Sequence, residues 1–150
     1  MEVFFHITAN PGDEVSVRHT AALLRDPTRS SDEALREALT TLYAPHDGTA
    51  LDDLADLFRR ADAAYFERAH DVPASATLSM EPLVSDHVGP PVYLTKHLDA
   101  AGLDAYEADI AALLARCPAL EPRVTDPAMV RLIATCLRGV LADIALARTF

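Results

Sequence analysis

Between Met129 and Ala147 the chain is apolar on almost every side of a helical wheel, and a helix of that kind must be covered by others. Arg131, Arg138 and Asp143 interrupt it. A charge at bilayer depth is expensive, so the stretch reads as a buried helix of a water-soluble bundle rather than a membrane span. Asp126-Pro127 opens it with an N-cap residue and the proline favoured at the first helical position. The rest of the chain must therefore supply amphipathic helices to pack around it, and four such patterns are present.

The first follows Asn10-Pro11-Gly12, where Asp13 is placed to cap a helix over 14–25 with Val17, Ala21 and Leu24 on one face. Asp26-Pro27 ends it. Ser30 with Glu33 forms a capping box, each side chain satisfying an orphan N–H of the first turn. Leu35, Leu39 and Leu42 then recur on one face until Pro45. Thr49 with Asp52 repeats the capping logic, and Leu51, Leu54, Phe58, Ala61 and Tyr65 predict a helix to about His70. Asp104 with Glu107 opens a further helix carrying Ile110, Leu113 and Leu114, which Cys117-Pro118 should stop. Before all of these, Val3 to Thr8 reads as a short strand-like segment. The expected fold is all-α, one compact domain over residues 1–150 with five to six helices. The alternative is α+β, with 3–8 pairing to 76–78 or 92–94 as a minimal sheet.

Asp71 to Leu94 breaks the pattern, because Pro73, Pro82, Pro90 and Pro91 forbid a long helix there. Structureless stretches beyond about 12–15 residues are uncommon in compact domains and are usually functional or disordered. Leu78, Met80, Leu83, Val84, Val88 and Val92 make this one too apolar for a solvated tail, so it should cover the bundle. It also holds Glu81, Asp86, His87 and Tyr93, with His97 just beyond. Two imidazoles, two carboxylates and a phenol supply acids and bases that work near neutral pH. His87 is the expected general acid or base, Glu81 or Asp86 its orienting partner, and Tyr93 a donor to developing negative charge. His97 would start the next helix or join that group. The bland reading competes closely: titratable residues are normal on loops, and no spacing here is diagnostic.

Other motifs are weaker. Asp52-Asp-Leu-Ala-Asp56 has the spacing of a magnesium-diphosphate motif of isoprenoid enzymes, but a second metal-binding segment is missing from the sequence, and acidic residues in a first turn also serve the helix dipole. Glu67-Arg-Ala-His70 has the Glu-x-x-His step of di-iron bundles, yet no second such step exists. The helices over 14–25 and 31–43 have a helix-turn-helix layout, but Arg36 stands alone against Asp32, Glu33 and Glu37. Cys117 and Cys136 read as two reduced, buried thiols rather than nucleophiles. No phosphate-cradling loop, Cys-x-x-Cys pair or dinucleotide fingerprint is present, so neither a cofactor nor a metal is expected.

The net charge is −10 and the isoelectric point near 4.8, which argues against nucleic acid and anionic membranes as partners. The start of the chain lacks the basic and apolar regions of a secretory signal, so the expected location is the cytoplasm. One lysine against twelve arginines, with 27 alanines, matches the codon bias of a GC-rich bacterial genome. Two functions follow. In the first, a small molecule or peptide binds in a pocket under residues 72–97, with cofactor-independent acid/base chemistry of a lyase, isomerase or cyclase as its catalytic form. In the second, the protein is a non-catalytic regulator or assembly partner. Its acidic first half, at −7 against −3 for the second, would then meet a basic partner. A homodimer is the candidate assembly.

Overall fold

The structure, a computed structural model, describes residues 11–68 and 98–149, with side chains described except at 65–68. Within them lie five α-helices: α1 (Pro11–Arg25), α2 (Ser31–Tyr43), α3 (Gly48–Arg68), α4 (Ala100–Leu120) and α5 (Pro127–Ala147). A 3₁₀ turn at Glu121–Arg123 joins the last two. Each helix packs on the next in sequence, and α5 returns to touch α1, closing a ring. The fold is an all-α bundle. Among the described residues the β-type pairing is a single antiparallel bridge, Pro45 with Val124, and no sheet is needed to explain the fold. The 3–8 segment lies outside the described residues, as do 76–78 and 92–94.

One continuous core draws on all five helices, from Val15 on α1 to Ala147 on α5. Ten of the 21 residues of α5 are buried, against six of 21 on α4, so the apolar helix anchors the bundle as its pattern requires. It is not enclosed on every side, however. Arg131, Thr135, Arg138, Ala142 and Leu146 recur three and four positions apart as one exposed stripe. No helix among the described residues is long and apolar enough to cross a membrane.

The helix starts are set by caps, and three differ from their sequence expectations. α1 is described from Pro11, and Asp13 lies inside its first turn beside Glu14 rather than ahead of it. Its buried face is Val15 and Ala22, whereas Leu24 is 61% exposed. α3 is capped by Asp47, which accepts from Ala50 N at 2.7 Å, and not by Thr49. α4 is capped by Asp99, which accepts from Gly102 N at 2.8 Å, so Asp104 and Glu107 lie within the helix and both receive Arg148. The Ser30–Glu33 box forms as expected, with Ser30 N donating to Glu33 at 2.9 Å and Glu33 N to Ser30 at 3.2 Å. α4 also runs through Pro118 to Leu120. A proline in the last turn deletes one ladder hydrogen bond, and burial of Cys117 and Leu120 on either side holds that turn in place.

The α2–α3 connection is latched to the segment before α5. Ala44 takes a left-handed conformation (φ 43°), which ends α2 and turns the chain into Pro45. His46 N then donates to Arg123 O at 2.9 Å, and Thr125 Oγ1 to Ala44 O at 2.9 Å. Arg123 adds its side chain, donating to Asp53 at 2.6 Å.

Leu137 is fully buried in the middle of α5. Leu137→Ala should cost about 2–5 kcal/mol in denaturant melts, through lost transfer energy and the cavity left behind. A loss below about half a kcal/mol, the range of a surface substitution, would show that α5 is not the anchor.

Candidate functional site

The residues singled out for acid/base work, Glu81, Asp86, His87, Tyr93 and His97, lie outside the described residues, as does the 72–97 segment as a whole. Glu67's side chain and His70 lie outside them too. The described residues carry their own candidates, on the two sides of α3.

The acidic run of α3 reaches partners on several elements. Asp52 receives Arg36 of α2 at 2.6 Å, and Asp53 receives Arg123 at 2.6 Å. Asp56 receives Arg60 at 2.8 Å and Arg116 of α4 at 2.8 Å. Arg60 first, and Arg116 after it, hold the Asp56 carboxyl below its ordinary value. Metal chelation needs carboxylates that converge on one point with free lone pairs, whereas these three are already paired with arginines of α2, α3, α4 and the 3₁₀ turn. They serve as struts. Arg116 and Arg123 come from the second half of the chain and bring positive charge onto the acidic helices, which reduces what that face offers a basic partner.

A cleft of about 450 Å³ between α3 and α4 lies over one set of these struts, with Asp56, Arg60 and Arg116 on its walls and Ala63, Ala64 and Ala112 among its lining. Asp56 pairs there with both Arg60 and Arg116.

A second cleft, of about 370 Å³, opens between α1, α2 and α3. Val15, Leu35 and Phe58 form its apolar wall; Phe58 is 5% exposed and stacks edge-on against Tyr43, with ring centroids 5.8 Å apart. The polar lining is Ser16 and His19 from α1, Ser31 and Asp32 from the first turn of α2, and Arg59 and Asp62 from α3. His19 Nε2 lies 2.9 Å from Ser31 Oγ and 3.2 Å from Ser31 O. A carbonyl oxygen only accepts, so Nε2 carries the hydrogen and donates to both. That arrangement removes the lone pair a serine nucleophile would need. Ser31 and His19 therefore tie α1 to α2, and Nδ1 is the ring atom left to exchange a proton.

Asp62 is the group with most chemistry to offer. Solvent reaches the residue, yet its carboxyl sits among the cleft walls, and loss of hydration there pushes it up from the ordinary aspartate value. Charge on His19 opposes that shift. Unlike Asp52, Asp53 and Asp56 on the same helix, Asp62 has no hydrogen bond or ion pair among the described residues. Sequence spacing offered no clue to it: Arg59 stands three residues before, at a spacing that would let it pair with Asp62, and only the structure shows Arg59 turned to Asp32. The approach of His19 and Ser31 depends on how α1 meets α2, and no local pattern announces that.

Neither cysteine competes as a nucleophile. Both are free and buried, and burial raises Cys117 and pushes Cys136 up to about 11, far from the thiolate. No cluster of three or more metal-ligating side chains occurs among the described residues. Comparisons with protein-family models, curated proteins and solved structures give no match to this chain.

The raised carboxyl fixes a sign. Ionised Asp62 is less favoured in the folded chain than in the unfolded one, so its contribution is most favourable below the unfolded value near 3.8 and is lost as pH rises through the folded value. Asp62→Asn should therefore melt at a higher temperature than wild type at pH 7, with the difference closing below pH 3.8. A lower melting point at pH 7 would show that the carboxylate has a stabilising partner.

Proposed function

We propose that this protein binds a small molecule in the cleft between α1, α2 and α3. The observation that carries the reading is the composition of that cleft. A concave volume of about 370 Å³ combines an apolar wall with a few fixed polar groups, the pattern of small-ligand sites. His19 is held in one orientation by Ser31, and Asp62 has no hydrogen bond or ion pair among the described residues. The neighbouring cleft against α4 has its arginines and Asp56 committed to one another, which leaves less for a ligand.

The acid/base chemistry expected of His87, with Glu81, Asp86, Tyr93 and His97, would be a further property of a bound substrate, and its basis is the composition of the 72–97 segment alone. Binding comes first in the test.

A melting-shift screen of the full chain against small metabolites should yield stabilising compounds. At 100-fold excess over the dissociation constant a ligand adds about 2.7 kcal/mol to stability. Ser16 is exposed and lines the cleft, so Ser16→Trp fills the volume without touching the core. Every true cleft ligand should lose its shift in that variant, and an undiminished response across the hits would overturn the reading. His87→Ala, screened alongside, should lose binding or turnover with its own melting point within about half a kcal/mol of wild type. Responses identical to wild type for every hit would remove the role expected for the 72–97 segment.

A further inference from the structure

The α1–α2–α3 cleft is unbalanced in charge, and the imbalance selects among ligands. Two of its ionised groups cancel within the protein: Arg59 meets Asp32 at 3.2 Å, and Asp32 is also held by Arg36 at 2.7 Å. Arg59 further donates Nε to Ala55 O at 3.1 Å, so its guanidinium is committed in two directions. Asp62 is different. Its electrostatic neighbour is His19, whose Nε2 is occupied by Ser31, and no arginine pairs with it among the described residues. Val15, Leu35 and Phe58 share its cleft.

A carboxylate at the side of an apolar wall gains most from a cation that brings its own apolar body. An anionic ligand would face Asp62 and find Arg59 already engaged. A neutral one would offer Asp62 no counter-charge. We infer that the cleft's ligand is a small organic amine, its ammonium paired with Asp62 and its apolar part laid against Leu35 and Phe58. The inference rests on the cleft being the binding site.

Three probes of similar size and different charge test it: 2-phenylethylamine, 2-phenylethanol and 3-phenylpropanoate, titrated into the full chain at pH 7 and followed by amide NMR shifts. The amine should bind at least about tenfold tighter than the alcohol, as a charged hydrogen bond implies, and the carboxylate weakest. Shifts should centre on Ser16, His19 and Leu35. Asp62→Asn should bring amine and alcohol to equal affinity, while Asp62→Glu keeps the preference. Because Asp62 is exposed, neither variant threatens the fold. Cleft binding without charge preference, tighter binding of the carboxylate, or a preference that survives Asp62→Asn would overturn this inference and leave the cleft reading standing. Absence of cleft shifts with all three probes at tens of millimolar would overturn both.

Discussion

Removing the apolar circumference of α5 from water is the constraint on which the other elements depend. Val130, Ile133, Leu137 and Ile144 are all fully buried, and no single neighbouring helix is wide enough to cover them together with Cys136 and Val140. The chain meets that demand with a ring, α4 lying against one side of α5 and α1 against another. Closing a ring requires the N-terminal and C-terminal helices to meet, and the latch between Ala44–His46 and Arg123–Thr125 holds the α2–α3 turn against the segment that leads into α5. A left-handed alanine is an uncommon conformation for a residue with a Cβ. Here it is held by the hydrogen bonds that the turn makes across the latch.

Charge follows the same geometry. α3 lies between α2 and α4, and its aspartates reach arginines on both neighbours and on the turn before α5. Each such pair is half-exposed and individually worth little, since water screens it and two side chains must be held still. Together they orient α3 about its own axis, because Asp52, Asp53 and Asp56 on one face each reach a partner on a different element. That orientation sets where Asp62 emerges: into the α1–α2 side, away from the Arg60–Arg116 pair.

Sequence and structure agree on the helical periods of α3 and α4 and on the Ser30–Glu33 box, and differ on the caps of those two helices and on what meets across helices. The capping box at Ser30 and Glu33 is a four-residue device, and it forms as its spacing says. The apolar faces of α3 and α4 at Leu54, Phe58, Ile110 and Leu113 were legible because their period is intrinsic to a helix. Asp47 and Asp99 took the caps expected of Thr49 and Asp104: any of these side chains can close a first turn, and spacing alone does not choose among them. On α1, Leu24 turned outward while Ala22 turned in. A helix that packs closely on its neighbour favours a small residue at the contact, and periodicity alone cannot tell a small contact from a large one. The cleft was the least legible feature, since Ser16, His19, Ser31, Asp32 and Asp62 come from three helices and share no spacing.

The two clefts beside α3 show why volume is a poor guide to function and residual bonding capacity a better one. The larger, near 450 Å³, is spanned by arginine–aspartate pairs whose members satisfy one another, so a ligand entering it would have to break contacts before making its own. In the smaller, the rim pair of Asp32 and Arg59 and the His19–Ser31 tie fix the walls without involving Asp62. Rigid walls around a carboxylate that has no hydrogen-bond or ion-pair partner among the described residues are the arrangement in which a ligand gains an interaction without first breaking one there.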